Sequence, residues 1–325
     1  MSARSIDIHP QIGRGSVLLQ AARKNLPLAT LITAMLGLLA VAIVGVAIDP
    51  RVITGAPAWM KPAKFAISIA IYAATLLWLL RFVPDRPKLV AIISWGTFFG
   101  FAVEMLLITM QVVRGTTSHF NRETPFDATV FTIMGGVIVG MWLLTLVVAV
   151  LLFRRNFAAP SIVWGVRLGL TAALLGMAVA FLMPQPTPAQ ETRIEATGSS
   201  PIIGAHAVGV EDGGPGLPIV GWSTEGGDLR VAHFVGMHGL QGLPFTGWVL
   251  ASFAPAWMTA GRRARLVMVG GGFWIGLTVL LVWQALRGQP LIAPDTSTLL
   301  AFMALVGAAV MAALAVILPE RPGAH

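Results

Sequence analysis

The residues that could do chemistry in this chain are ionisable side chains inside long apolar stretches. Glu104 lies within the stretch 89–113, and His233 and His238 lie within the stretch 229–253. An ionisable group at the centre of a membrane helix costs at least about 2.5 kcal/mol on insertion scales, so such groups normally face a bundle interior or a wet cavity. Glu104 is therefore a candidate proton acceptor or ligand; the alternative is a protonated carboxyl group that only joins helices.

Glu104 has polar neighbours on its own helix face. Thr97 and Gln111 stand seven residues to either side of it, which places all three on nearly the same side of an α-helix. A second polar stripe follows steps of four, four and three residues: Lys64, Ser68, Tyr72 and Thr75. The first stripe predicts an internal seam; in the second, Lys64 meets an opposing carboxylate or a bound anion, or it extends to the lipid headgroups.

The two histidines lie at different positions around their helix. Residues five apart diverge by about 140° on an ideal helix, so His233 and His238 are not the i, i+4 pair that chelates zinc. His238 is expected at about the depth of Glu104, where a hydrogen bond would orient the imidazole for metal binding or proton transfer. Gln241 shares a face with His238, and the alternative for each histidine is a satisfied interhelical hydrogen bond.

Any bound metal or haem would depend on these histidines. The chain contains no cysteine, which excludes disulfides, thiolate ligands and a cysteine nucleophile. His119 and His206, expected in external loops, are weaker candidates that could complete a metal site with His233. Haem needs an axial ligand such as histidine, and a zinc ion with an open position could activate water. The expected cofactor is therefore haem or a divalent metal.

The apolar stretches themselves are predicted to be membrane-spanning helices. Hydrophobic residues make up 56% of the chain and charged residues 11%, against about 25% charged in soluble globular domains. A spanning helix needs about 20 apolar residues to cross roughly 30 Å of hydrocarbon. Eight stretches meet this condition: 26–48, 62–82, 89–113, 127–153, 161–183, 229–253, 265–286 and 296–318.

The distribution of Lys and Arg predicts the orientation in the membrane. With the N-terminus inside, 14 of the 22 basic residues are cytoplasmic and 22 − 14 = 8 are external, as the positive-inside rule favours. Both termini are thus expected in the cytoplasm, with 1–25 as a cytoplasmic N-terminal segment and the first apolar stretch as a retained anchor. The same asymmetry explains the net charge of +8, and no nucleic acid partner is expected.

One membrane domain, 1–325, accounts for the whole chain. Its longest connection, 184–227, is placed outside the membrane. Within this loop, short runs of alternating apolar residues flank a glycine- and proline-rich turn at 212–216, which is typical of a short β-hairpin. The predicted fold class is an all-α, polytopic membrane helix bundle with eight transmembrane helices and one longer external loop.

Part of the chain resembles a known group of sequences. The resemblance rests on Asp212-Gly213-Gly214-Pro215-Gly216-Leu217-Pro218, on Trp222-Ser223 and on Gly227-Asp228-Leu229-Arg230-Val231-Ala232-His233-Phe234. Around these motifs, roughly residues 205–245, the chain is similar to uncharacterised bacterial multi-pass inner-membrane proteins. The resemblance implies a bacterial inner membrane as the location and brings no assigned activity.

Three functions remain open on these residues. The leading hypothesis is a metal- or haem-dependent redox or hydrolytic reaction in an outward-facing pocket built from the second, third and sixth helices. There Glu104 and His238 would be catalytic, and His233 or His238 would hold the metal.

The second hypothesis is a proton-coupled transporter of a small solute, lined by Lys64, Tyr72, Gln111 and Gln241. The mainly apolar cytoplasmic half of the bundle counts against it, because a transport pathway must reach both faces. The third is a non-catalytic membrane assembly subunit that binds a membrane-protein partner or a second copy of itself.

Overall fold

A computed structural model describes residues 23–318 of the chain. Nine α-helices lie in this range: α1 Leu26–Ile48, α2 Met60–Leu80, α3 Pro87–Arg114, α4 Pro125–Phe153, α5 Pro160–Val179, α6 Pro188–Thr197, α7 Leu229–Phe253, α8 Ala260–Leu286 and α9 Thr296–Ile317. A 3₁₀ turn, Ala180–Leu182, follows α5 directly. The described strands are two residues long: β1 Val52–Ile53, β2 Ala56–Pro57, β3 Ala207–Val208 and β4 Gly227–Asp228.

Seven of the described helices are long and apolar enough to cross a membrane. They are α1 to α5, α8 and α9, and they support an all-α, multi-pass membrane protein. The predicted eighth span forms the expected helix, α7, with 25 residues. It is not among the seven, because histidines, an arginine, a glutamine and several glycines lower its mean hydropathy. The count of eight spans therefore depends on whether α7 crosses the membrane.

Helix starts follow capping side chains that the sequence contains. Asp228 caps α7 as predicted, because its carboxylate accepts the backbone N–H of Arg230 at 3.0 Å. α8 begins five residues earlier than expected, at Ala260. The Thr259 hydroxyl caps it by accepting the N–H of Arg262. The start of α8 was not predicted because its first turn contains Arg262 and Arg263, which interrupt the apolar run.

The described residues form two compact units. The first unit contains 23–148, 184–205 and 212–214, and thus α1 to α3, most of α4, and α6. The second unit contains 149–183, 206–211 and 215–318, and thus the last turn of α4, α5 and α7 to α9. The single domain 1–325 stays a prediction, and the predicted N-terminal segment 1–25 lies outside the described residues except for 23–25.

In the first unit, α1 packs along α2, and α3 contacts both. A tight hairpin joins α1 to α2, with β1 antiparallel to β2. Its turn residues, Thr54 and Gly55, have φ values of 48° and 71°, and a type I′ turn requires positive φ at both. This hairpin was not predicted, because Thr-Gly is a weaker signal than Asn-Gly or Asp-Gly.

In the second unit, α7 packs against both α5 and α8, and α9 lies on α8. Glycines bring the backbones of α5 and α7 together. A methyl group at Gly165 would lie 2.5 Å from the carbonyl oxygen of Leu243, and one at Gly176 would lie 2.5 Å from the backbone nitrogen of Met237. Such close approach through small residues is typical of helix pairs in membranes. It fixes the depth of α7 against α5.

The long connection is ordered differently from the predicted hairpin at 212–216. Val208 pairs with Gly227, in the antiparallel ladder of β3 and β4. The backbone of Gly227 lies against the carbonyl group of Ala285, where a Cβ atom would overlap, so glycine is needed. α6 was also not predicted, although Thr187 and Gln190 form a capping box at its start.

Candidate functional site

Glu104 is the most exceptional polar residue of the first unit. Its residue exposure is 1%, and neither carboxyl oxygen has a hydrogen-bond partner among residues 23–318. Lys61, in the first turn of α2, is the charged side chain that acts on it electrostatically. Burying an ionised carboxylate without hydrogen bonds is very costly, so such a group takes up a proton or binds a ligand.

The polar face of α3 is buried over much of its length. Thr97 and Gln111 are both 0% exposed, like Glu104 between them. The Thr97 hydroxyl has no hydrogen-bond partner within residues 23–318. The internal position expected for this stripe is therefore observed, with two of its three polar groups left without hydrogen bonds.

Gln111, by contrast, belongs to a satisfied network where α3 meets α4. Its amide donates to Asp127 at 2.8 Å. Arg114 donates to the amide oxygen of Gln111 and lies 2.5 Å from Asp127. The Thr124 hydroxyl donates to the second oxygen of Asp127 at 2.6 Å. Gln111 was predicted to belong to a relay, and this network was not predicted. Its signal in the sequence was the pairing of Gln111 and Arg114 with the acidic first turn of α4.

Tyr72 joins α2 to α4 through its hydroxyl group. The oxygen lies 2.8 Å from that of Thr145, and Thr145 donates its own hydrogen to the carbonyl of Met141 at 2.8 Å. Tyr72 is therefore the donor. Its ring packs edge-on against Phe101 of α3, with centroids 5.5 Å apart. Among the predicted members of the α2 stripe, Lys64, Tyr72 and Thr75 are half-buried and Ser68 is exposed.

His119 lies in an aromatic cluster at the loop end of the first unit. Its ring centroid is 5.7 Å from that of Phe65 and 6.2 Å from that of Phe131, and Nδ1 lies 3.1 Å from the Ser118 hydroxyl. The next residue, Phe120, has a φ of 64°. Positive φ is rare for so large a side chain and costs on the order of 1 to 3 kcal/mol.

In the second unit, His233 donates from Nδ1 to the carbonyl of Gly176, at 2.7 Å. That carbonyl is available because the chain tightens into a 3₁₀ turn after α5. The N–H of Ala180 bonds to the carbonyls of Met177 and Ala178, so Gly176 lacks its usual i+4 partner. The imidazole supplies the missing bond and leaves Nε2 as the nitrogen that carries a lone pair.

His238 is held in the same manner one turn further along α7. Its Nδ1–H donates to the carbonyl of Phe234 at 2.9 Å, and its ring stacks on that of Phe234 with centroids 3.9 Å apart. His206 and His238 both act electrostatically on His233. The carbonyl of His206 accepts the N–H of Leu229 at 3.0 Å. Three histidines of the second unit are thus electrostatically linked at the start of α7.

Within residues 23–318, no group of three or more His, Asp or Glu side chains is arranged to hold a metal ion. The metal site predicted from His119, His206, His233 and His238 therefore has no support from a ligand cluster. Glu104 belongs to the first unit and His238 to the second, and the hydrogen bond predicted between them is not formed, because neither Glu104 oxygen has a partner among residues 23–318.

Comparison of the chain with protein-family models, with curated proteins and with solved structures gave no match.

Proposed function

We propose that this protein exchanges protons at Glu104 and couples the exchange to movement of a small solute across the membrane. One observation carries the proposal: both oxygens of a buried carboxyl group lack hydrogen-bond partners among the described residues. A carboxyl group whose only role is to join helices would be expected to use at least one of them. Glu104 has capacity for a ligand that its protein surroundings do not fill.

The chemistry of a carboxyl group in hydrocarbon explains how binding and proton release are coupled. The neutral acid tolerates an apolar surrounding, whereas the ionised form needs a counter-charge or water. A solute or water molecule that reaches Glu104 stabilises the carboxylate and releases the proton. When it leaves, the proton returns. Lys61 biases this exchange, because its positive charge favours the ionised form.

α7 is proposed as the eighth membrane span. Its glycine-rich side packs on α5, it also contacts α8, and both helices are apolar enough to cross the membrane themselves. A helix held between two others can carry polar residues at membrane depth, because its polar face need not meet lipid. With α7 as the eighth span both termini lie on one side of the membrane, and the excess of basic residues there supports a cytoplasmic location for them, with the loop 184–227 outside. The resemblance of residues 205–245 to bacterial proteins supports the bacterial inner membrane as the location.

Carbodiimide labelling tests the protonation of Glu104 directly. The O–H of a protonated carboxyl group adds across one C=N bond of dicyclohexylcarbodiimide, and the acyl group then migrates to nitrogen without loss of any atom. We expect mass spectrometry of purified protein to find this adduct on Glu104, with less labelling as the pH rises. Glu104→Gln should remove the adduct.

Glu123 supplies the matched control, because it is exposed on a loop of the same unit. Glu123→Gln should leave the labelling of the buried carboxyl group unchanged. Native protein that stays unlabelled at Glu104 at every pH would overturn the proposal. If Glu104→Gln then changed only thermal stability, the reading as an assembly subunit would be favoured instead.

A metal- or haem-dependent reaction is the second candidate function. It is favoured by the anchoring of His233 and His238, whose Nδ1–H groups both donate to backbone carbonyls. This arrangement fixes the tautomer and leaves the lone pair on Nε2, as in many metal-binding histidines. Purified protein should then show a haem absorption band or bound metal that is lost in His233→Gln. A metal-free, colourless protein would eliminate this candidate.

A further inference from the structure

Building on the proposed proton exchange, we infer that the polar face of α3 forms a route from Glu104 to the end of the first unit where α3 begins, through Thr97, Ser94 and Asn25. From sequence, this half of the bundle was expected to be mainly apolar. The burial of Thr97 and Ser94, at 0% and 1% exposure, places polar groups in the interior there.

Thr97 differs from most threonines of the long helices, and Thr109 of α3 shares its lack of a hydroxyl partner among residues 23–318. The Thr75, Thr129, Thr132, Thr145, Thr171 and Thr278 hydroxyls each donate to the carbonyl four residues earlier. That local bond is the usual way for a threonine to satisfy its hydroxyl in a membrane helix. The hydroxyl of Thr97 is buried and makes no such bond. It is therefore free to receive and pass on a proton.

Ser94 and Asn25 line the route toward the surface, where water carries the proton because a carboxamide does not relay one. The Ser94 hydroxyl accepts from the side-chain amide of Asn25 at 2.7 Å and donates to the carbonyl of Val90 at 2.7 Å. Asn25 caps α1 and is half-exposed. At about 1.5 Å of rise per residue, Ser94 lies about 4.5 Å along the helix axis from Thr97. Polar groups thus extend from the buried Thr97 through Ser94 to Asn25, near the end of the first unit where α3 begins.

The longest gap lies between Thr97 and Glu104, about 10 Å along the helix axis from the same rise per residue. Phe101 stands midway in the sequence, and the ring of Tyr72 packs against it. The hydroxyl pair of Tyr72 and Thr145 is therefore near the level of the gap. Transfer across it requires two or three water molecules, on the order of one per 3 Å. Water entry would make this the slow step.

The test follows Glu104 protonation from each side of the membrane separately. The protein is reconstituted in vesicles, and protease access to the loop 184–227 identifies molecules of one orientation. The pH is then changed on one side only, and carbodiimide labelling of Glu104 is measured over time. In the native protein, labelling should respond to the pH on both sides.

Thr97→Val should slow the response to the side where α3 begins by on the order of tenfold or more, as the loss of a proton-transfer group does. The response to the other side should stay unchanged. Ser94→Ala should have the same effect because it removes the hydroxyl that joins the route to Asn25, and Thr75→Val is the matched control because that hydroxyl lies on α2, outside the route.

Two failures can be told apart. Equal responses of Thr97→Val to both sides would overturn this route and leave the proposed function intact. A native protein whose Glu104 is never labelled would overturn the proposed function itself. Retained thermal stability of Thr97→Val shows that any loss of response is not a loss of fold.

Discussion

Two buried threonines of the first unit illustrate how little a residue type reveals about its role. Thr145 joins Tyr72 to the backbone of α4, whereas the Thr97 hydroxyl makes no hydrogen bond within the described range. Both are at most 2% exposed. The energetic consequences of removing the two hydroxyls should have opposite sign, because one is paired and the other is not.

We expect Thr97→Val to raise the free energy of unfolding by about 1 kcal/mol, since it removes a buried hydroxyl that has no partner. Thr145→Val should lower it by about 1 to 3 kcal/mol, because it leaves the Tyr72 hydroxyl unsatisfied. Thermal unfolding in detergent, followed by circular dichroism, measures both. Equal destabilisation of the two variants would mean that the Thr97 hydroxyl has a partner after all.

Asp49 makes the stability of the first unit depend on pH. Hydrogen bonds from the Arg51 guanidinium hold the pKa of this carboxyl group well below its usual range, and the Trp59 indole adds a further bond at 2.8 Å. Because the folded-state pKa is depressed, the stabilisation is fully present above the ordinary value of about 4. It is lost as the pH falls from there toward the folded-state pKa.

Asp49→Asn should therefore lower thermal stability at neutral pH and reduce the further loss on acidification. Melting temperatures between neutral pH and about pH 3 measure this dependence. The difference between native protein and variant should begin to narrow below about pH 4. Parallel curves across the whole range would show that Asp49 does not contribute to acid sensitivity.

Glu104 was identifiable as a candidate from sequence because a carboxyl group is rare inside an apolar run. The stripe formed with Thr97 and Gln111 followed from helical spacing alone. What spacing could not reveal was which partners each group finds. Gln111 is bound to Asp127 and Arg114 because α4 happens to begin beside it, and such a contact depends on tertiary packing.

The glycines of the long helices include some at close helix contacts and others at open positions. A methyl group at Gly176 of α5 would press against the backbone of Gly236 and Met237, whereas nothing lies within 4 Å of one at Gly270 of α8. Overpacking of a tight contact typically costs about 1 to 3 kcal/mol. An unobstructed glycine in a helix gains about 0.5 to 1 kcal/mol on change to alanine.

Gly176→Ala should therefore lower the free energy of unfolding by about 1 to 3 kcal/mol, and Gly270→Ala should leave it unchanged or raise it slightly. Gly176→Ala should also weaken the hydrogen bond of His233, because the two helices must separate. Detergent unfolding and the imidazole NMR signal of His233 report the two effects. A stable variant with an unchanged His233 signal would contradict the contact.

The elements that sequence predicted well are those determined by length and hydropathy. All eight expected helices occur, since a long apolar run in lipid must satisfy its backbone internally. α6 was missed because it is short and polar, and the β1–β2 hairpin because its strands are two residues long and Thr-Gly is a weak turn signal. The pairing of Val208 with Gly227 was also missed, because it depends on how α7 and α8 bring distant segments together.

For the whole molecule, the proposed orientation makes a specific prediction about access. The chain has no cysteine, so single-cysteine variants carry one thiol each. Ser199→Cys, at an exposed position of the long loop, should react with a membrane-impermeant maleimide in intact cells. Ala159→Cys, exposed just before α5, should react only after the membrane is permeabilised. The reverse pattern would invert the topology.

The orientation in the membrane can be predicted from the sequence but not from the helix packing. The excess of Lys and Arg at one end is readable from the chain, whereas helix packing carries no information about inside and outside. For the number of spans, the helix packing is more informative than the sequence. Mean hydropathy leaves α7 in doubt, and its place between α5 and α8 supports a span.

The glycine contact between α5 and α7 has a consequence for biosynthesis. α5 is made before the long external connection, so its partner α7 does not yet exist when α5 enters the lipid. Until α7 emerges, the carbonyl of Gly176 lacks the hydrogen bond from His233, and lipid acyl chains contact the uncovered backbone groove of α5. Completion of this half of the protein therefore depends on the last third of the chain, and ribosomes stalled before α7 should yield a product that proteases degrade quickly.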